Sequence, residues 1–391
     1  LNLGFSGGAM RPFILLATLP LLAQSAPPAG PAPFSLKWRG SLWGGYAQSD
    51  RTLPDGSLFL RSVDKGDGQV SLDGFTLGAD VALAEGWALK FTLLTGETAR
   101  LVNSLNQDSG SLATPEVMLI WTQGGTQVQF GRMWTPMGME VLDATQNIAA
   151  SRGLIFTYTI PFAQVGLHVR QALTSDWNAD LWIYNGEDRI KDNNRGKTFG
   201  LGLNYAPGGS SDSFANLMVF RGPEQDSIAS AANPTPAPGA EGRMRERVSA
   251  NGQVTAGALV VQMELEWGKE AFPASALTGA TGPESARWKA VGANARWTFS
   301  PTWAAYGRFE VVQDDRGVRL SLDPTLLGAW GNRMDADLKA TGLTLGAERR
   351  WGATYLRTEL RQDRINKDVA DDAGSLFRSA TSFTLQFGSS F

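Results

Sequence analysis

The stretch TSFTLQFGSSF, residues 381–391, alternates between polar and apolar side chains from Ser382 to Phe387 and reaches an aromatic residue again at Phe391. Counting back from Phe391 by twos gives Ser389, Phe387, Leu385 and Phe383. The other parity gives Ser390, Gly388, Gln386, Thr384 and Ser382. A period of two puts one set on each face of a strand that separates two different media. Either a protein core or a lipid could receive Phe383, Leu385, Phe387 and Phe391, and the rest of the chain must decide which.

The same grammar runs back through the sequence. In FSLKWRGSLWGGY, Phe34, Leu36, Trp38, Leu42 and Tyr46 share a face, while Lys37, Arg39 and Ser41 share the other. FTLGADVALAEGWALKFTLL reads as a hairpin. Phe75, Leu77, Ala79, Val81 and Leu83 lead into a tight Glu85-Gly86 turn, followed by Trp87, Leu89, Phe91 and Leu93. Sixteen such segments are expected, beginning near residues 34, 70, 87, 114, 126, 160, 176, 197, 213, 245, 258, 285, 302, 337, 352 and 378. Their connections alternate. Short turns fall at Glu85-Gly86, Gln123-Gly125, Thr174-Asp176 and Ser300-Pro301. Long ones are expected over 49–69, 96–113, 134–159, 186–196, 222–244, 270–284, 314–336 and 365–377. All long loops therefore lie at one end of an up-and-down meander. Trp87, Trp177, Trp303 and Trp351 each follow a short turn, where an interfacial aromatic girdle would stand.

The face opposite the apolar stripe settles the medium. It carries nine cations, Lys37, Arg39, Lys90, Arg170, Arg247, Arg296, Arg308, Arg357 and Arg361. It also carries eight anions, Asp80, Asp180, Glu264, Glu266, Glu310, Glu348, Glu359 and Asp363. A soluble barrel would turn its apolar face inward, and sixteen strands would enclose more space than side chains can fill. Apolar residues facing lipid and charged residues facing a watery lumen satisfy both groups, and closure removes unpaired edges. The expected fold is an all-β, transmembrane, antiparallel barrel over residues 34–391.

Composition agrees. The 391 residues include 45 glycines and are 42% hydrophobic and 19% charged, as in a turn-rich β protein. A net charge of −3 without a long basic run argues against nucleic acid as a partner. No cysteine is present, so disulfides and thiolate sites are excluded, and the single histidine, His168, leaves little for zinc or His-dependent catalysis. Residues 10–30, MRPFILLATLPLLAQSAPPAG, have one cation, a short apolar run and small residues. That is the form of a secretory signal peptide cleaved near Ala23-Gln24-Ser25, with residues 1–9 lying upstream of it. Cleavage after Ser25 removes only Arg11, leaving 34 cations against 38 anions; residues 26–33 form a Pro/Ala-rich lead-in. Elsewhere GGSSDS (208–213) lacks the spacing of a nucleophile elbow and GLGLNY (200–205) lacks the third glycine of a dinucleotide loop. DVADDAG (368–374) and NPTPAPGAEG (233–242) read as loop tips. No enzyme chemistry, metal or cofactor is expected.

With these features the chain resembles bacterial outer-membrane porins over nearly all of its length. A narrower likeness lies in FGRMWTPMGMEVLDATQNIAASRGLIFTYTIPFAQVGLHV, residues 130–169, which is similar to the matching segment of OmpL-like β-barrel porins. Gly131, Thr135, Pro136, Gly138, Glu140, Ser151, Arg152, Pro161 and Gly166 carry it, while Met137 and Met139 depart from the aromatic residues expected nearby. The resemblance implies a loop, 134–159, folded into the barrel as a constriction bearing Glu140, Asp143 and Arg152. On the residues alone, LIFTYTIPF is too apolar for a solvated tip, although an ordinary outer loop remains the alternative. The pore lining would include Lys37, Arg39, Lys90, Arg170, Arg308, Arg357, Arg361, Glu264, Glu310 and Glu359, with Arg39 and Lys90 facing the loop. Arg132 falls by parity on the lipid face, where it would snorkel, meet another subunit or follow a bulge. The resemblance further implies that Phe391 is an assembly signal read by the barrel-assembly machinery, that membrane lipid and small hydrophilic solutes are partners, and that the protein is a homotrimer. The rival readings are an adhesin or receptor acting through its loops, and an energy-coupled transporter. The latter needs an N-terminal plug for which the sequence leaves no room.

Overall fold

The computed structural model describes residues 34–64, 66–104, 110–228, 239–272, 284–322 and 337–391. The expected signal peptide and lead-in lie outside them. Sixteen strands close into one barrel in which every strand pairs antiparallel with its sequence neighbours. They are β1 Ser35–Ser49, β2 Gln69–Ala82, β3 Trp87–Thr95, β4 Leu112–Gln123, β5 Thr126–Trp134, β6 Ala163–Ala172, β7 Trp177–Glu187 and β8 Thr198–Tyr205. The second half comprises β9 Phe214–Pro223, β10 Met244–Ala256, β11 Leu259–Phe272, β12 Glu284–Ser300, β13 Trp303–Asp314, β14 Leu338–Trp351, β15 Thr354–Ala370 and β16 Leu376–Ser390. Each begins within three residues of the position expected from the pattern.

Alternation decides the sidedness. On β16, Phe383, Leu385 and Phe387 are exposed on the outside, Phe387 to 50%, while Gln386 is 2% exposed inside. Outward Leu36, Trp38, Leu265, Val291, Phe309, Leu345 and Leu360 continue that exposed apolar belt around the barrel. At its turn-side edge Trp87, Trp177, Trp303 and Trp351 are all exposed. Arg349 lies over the rings of Trp303 and Trp351, at 5.3 and 4.8 Å from their centroids. A belt of this kind, edged by aromatic rings, suits a hydrocarbon layer of about 25 Å.

The seam joins the two ends of the barrel. Leu42 pairs with Ser389 and Tyr46 with Leu385. The final residue completes the ladder, with Gly40 N–H donating to the Phe391 carbonyl at 3.0 Å and Phe391 N–H donating back at 2.9 Å. Its ring covers Gly40 so closely that a Cβ there would collide with it.

Two expectations are corrected. The last long connection, 365–377, is mostly strand. β15 runs to Ala370 and β16 starts at Leu376, leaving a turn in which the Asp371 carboxylate accepts from the N–H groups of Ala373 and Ser375. Cross-strand pairing of Arg378 with Asp368 (2.6 Å) and inward packing of Ile365, Val369 and Phe377 hold these residues extended. The inward face is also not uniformly charged. It also carries Trp43, Met118, Ile120, Trp182, Phe220 and Trp288, each buried within an apolar cluster.

Candidate functional site: the loop across the lumen

The connection between β5 and β6, residues 135–162, crosses the barrel and is bonded to the far wall. It begins beyond Gly131, whose φ of 137° bends β5. It includes a short 3-10 turn at Ala144–Gln146 and a five-residue helix, α2, Leu154–Tyr158, the chain's other described α-helix being α1, Glu97–Ser104, between β3 and β4. The apolar side chains Leu154, Ile155, Phe156 and Tyr158 are buried against inward residues and against Leu53, Phe59 and Leu60 of the first loop. This is where the unusual greasiness of LIFTYTIPF goes.

Buried carboxylates on the strands accept the loop's backbone N–H groups. Glu310 on β13 takes Leu154 and Ile155, each at 3.0 Å, at the start of α2. Glu359 on β15 takes Ala150 at 2.9 Å and Ser151 at 3.3 Å, and also the Ser151 hydroxyl. Glu264 on β11 takes Met139 at 3.0 Å. Strand arginines do the reverse for the carbonyls. Arg357 donates to Ala144 at 2.9 Å, Arg361 to Arg152 at 2.5 Å and Arg308 to Ser151 at 2.6 Å. Such charge-assisted bonds are about twice as strong as neutral ones and give these buried backbone groups the partners that water would otherwise supply.

The three residues expected at a constriction all sit on this loop, and all are engaged. Glu140 accepts from Arg308 (2.6 Å) and from Gly153 N–H (2.5 Å). Burial pushes its carboxyl pKa up, against the pull of Arg308. Asp143 accepts from the Ser41 hydroxyl of β1 at 2.6 Å and caps the 3-10 turn through Thr145 N–H at 3.0 Å. Arg152 pairs with Asp64 of the first loop, whose carboxylate accepts from its guanidinium at 3.0 Å and its backbone N–H at 2.7 Å. Burial alone would raise the Asp64 carboxyl, but Arg152 and Arg61 together hold it below the ordinary range. A Cβ at Gly153 would strike the Glu310 carboxylate, which would then have to shift.

The expected lining residues divide by level. Arg308, Arg357, Arg361, Glu264, Glu310 and Glu359 bind the loop as described and are buried. Arg39 and Lys90 converge instead on Glu116, at 2.5 and 3.1 Å, with Arg39 also reaching Asp80 at 3.3 Å. Arg170 grips Asp180 with two bonds, 2.8 and 3.2 Å, and the same carboxylate meets His168 Nε2 at 2.6 Å. Nearer the turn end, Lys37 is exposed and the Asp80 side chain is 42% exposed. Carboxamides also bond to one another along the wall, in two separate runs. Asn178 donates to Asn204 (3.1 Å), Asn204 to Asn216 (2.5 Å), Asn216 to Asn251 (2.8 Å) and Gln262 to Gln253 (2.9 Å). Arg132 keeps outward register opposite Val117, and its guanidinium turns to the Thr114 carbonyl at 3.0 Å.

Four participants escaped the sequence reading. Glu116 lies in PEVMLIW, where apolar residues on both faces hide the parity and Pro115 adds an irregularity. Arg61 donates to Ser382 and Thr384 at 3.1 and 3.0 Å, Asp64 holds Arg152, and Arg319 donates to the Tyr158 carbonyl at 2.8 Å. These three come from other loops, which have no period to read.

A closed sixteen-stranded barrel, greasy outside and polar within, with a loop crossing its lumen, defines an outer-membrane porin-type channel fold. The sequence matches the family model described as "Putative beta-barrel porin-2, OmpL-like" over residues 35–391, and the chain belongs to that family. No curated protein matches it in sequence. Among solved structures it is similar to the outer membrane channel DcaP of Acinetobacter baumannii (13% identity, TM-score 0.58, 92% of this chain and 98% of that one). It is also similar to an anion-selective porin from Comamonas acidovorans (12%, 0.55, 92% and 100%). A third likeness is to OmpT of Vibrio cholerae in its trimer form (10%, 0.56, 92% and 99%). At these identities the likeness concerns the fold.

Proposed function

We propose that the chain forms a water-filled channel in the outer membrane through which small hydrophilic solutes and ions diffuse passively. The observation that supports this best is the loop 135–162, bonded by its backbone to the far wall inside a polar lumen. An opening narrowed by a fixed loop sorts solutes by size, and a polar wall replaces part of their hydration. Glu140, Asp143 and Arg152 form the narrow level in this reading. Lys37, Arg39, Lys90 and Arg170 line the approach from the turn side, and the carboxamides along the wall offer neutral hydrogen bonds.

The mature chain is exported by its signal peptide and inserted by the barrel-assembly machinery, which reads the strand ending in Phe391. Assembly into a homotrimer is part of the proposal; chemical crosslinking in native membranes that yields monomers alone would remove it. Single-channel recording in planar bilayers, with reversal potentials in a salt gradient, tests conduction directly. Stepwise openings are expected. A folded, inserted barrel that stays silent would point instead to an adhesin or receptor acting through its outer loops.

A further inference from the structure

On the outside of the barrel, at the loop-side edge of the apolar belt, register sets Trp267 beside Lys289, Lys289 beside Gln313, and Gln313 beside Lys339. These positions continue the outward faces of Leu265, Val291, Phe309 and Leu343, all exposed. Arg287 stands one step further from the belt on β12. Together with Asn366 they line a groove of about 520 Å³.

The cations here differ from those inside. The lumenal arginines pair with carboxylates, whereas among the described residues Arg287, Lys289 and Lys339 have no ion-pair partner. Three aspartates border the groove. Asp314 turns inward to accept the N–H groups of Val318, Arg319 and Leu320. Asp315 accepts Arg287 N–H at 2.6 Å, and Asp337 stands exposed at the rim. The lower row, next to the belt, is therefore cationic. Lys289 and Lys339 are two strands apart, roughly 10 Å between backbones, a span that two flexible ammonium side chains can close on one anion.

We propose that this groove binds the phosphorylated head group of a lipid in the loop-side leaflet. Its acyl chains lie along Leu265, Val291, Phe309 and Leu343, its phosphate sits between Lys289 and Lys339 within reach of Arg287, and the Trp267 ring rests at the interface. Position at the belt's edge favours a lipid over a free anion, because apolar and cationic contacts are made by one molecule. The proposal rests on membrane insertion and is independent of conduction.

The test uses the folded, detergent-purified full barrel, native mass spectrometry and added diphosphoryl lipid A. The wild type is expected to hold the lipid, and Lys289→Gln/Lys339→Gln to hold it at least tenfold more weakly. Arg221→Gln, an outward cation on β9 that faces Glu246 at 3.5 Å, should bind as the wild type does. Heat-modifiable migration confirms that each variant is folded. Millimolar inorganic phosphate should not displace the lipid. Unchanged binding by the double variant, equal loss in Arg221→Gln, or displacement by phosphate alone would overturn the proposal. So would loss of an oligomer in the double variant without any change in lipid binding, which would make the groove a contact between copies.

Discussion

Arg308 on β13 and Glu140 on the lumenal loop meet at 2.6 Å although 168 residues separate them along the chain. Both side chains are almost fully buried, so neither charge has water to fall back on. Removing Glu140 leaves Arg308 with the Glu310 carboxylate alone, at 3.0 Å, and breaking a buried pair costs up to about 3 kcal/mol. Glu140→Gln should therefore lower the unfolding midpoint of the detergent-solubilised barrel and make single-channel current noisier as the loop loosens. A midpoint and noise level equal to the wild type would mean that the pair does not hold the loop.

Gly153→Ala tests the seat of α2. The added methyl displaces the Glu310 carboxylate from Leu154 and Ile155, an overpacking that costs about 1–3 kcal/mol. The expected signature is a rise in conductance together with a loss of thermal stability. Loss of stability at unchanged conductance would place α2 away from the conducting path.

Selectivity should be weak. The strand face is nearly balanced in charge, and the loop adds Glu140 and Asp143 against Arg152. A slight preference for cations is expected at low salt, fading as the screening length shortens below about 8 Å. Neutralising Glu140 and Asp143 together to amides should move the reversal potential towards anions. If it stays where it was at low salt, those carboxylates do not act on the permeating ions.

Asp188, just past β7, carries the pH prediction. Its carboxylate accepts from Phe162 N–H (2.7 Å) and Ala163 N–H (3.0 Å), where the lumenal loop rejoins the wall. Burial pushes its pKa up to about 6, with those two donors pulling down and Glu187 pushing further up. The folded state then holds the proton more tightly than the unfolded chain, whose value is 3.8. This group's contribution to stability rises as pH falls from about 6 towards 4 and is lost above 6. Asp188→Asn keeps an acceptor and discards the charge. Its stability advantage over the wild type should shrink between pH 7 and pH 4.5, and parallel profiles would refute the assignment.

The seam predicts that deleting Phe391 impairs assembly more than deleting any loop-tip residue. Gly40→Val should share the defect, since its side chain would occupy the space of the Phe391 ring. The readout is the heat-modifiable fraction recovered from membranes. Equal recovery from the Phe391 and loop-tip deletions would deny the terminal residue a special part.

Strand positions were legible because lipid on one side and water on the other impose a contrast at every second residue, as at Phe387 and Gln386. The legibility failed where the two sides were alike. Glu116 is flanked by apolar residues on both faces because Met118 and Ile120 turn inward into a buried apolar cluster rather than to water. The end of β15 lacks that contrast because it rises above the belt, where outward residues such as Asn366 and Asp368 are polar. Chain order alone puts Glu140, Asp143 and Arg152 on one loop, but it does not name their partners Arg308, Ser41 and Asp64. Those contacts depend on how distant segments meet, and no local period records that.

The partners of the lumenal loop also impose an order of events. Met139 waits for Glu264, Leu154 for Glu310, Ser151 for Glu359 and Ala150 for Gln386, at separations of 125, 156, 208 and 236 residues. Every one of these anchors arrives later in the chain than the loop itself. Contacts so remote in sequence form last, after the entropy of closing the intervening chain has been overcome. A nascent barrel stopped at β12 would leave Leu154 and Ile155 without Glu310 and Tyr158 without Arg319. The interior thus reports on the rim: the loop is fully bonded only when strands from β1, through Ser41, to β16, through Gln386, stand around it.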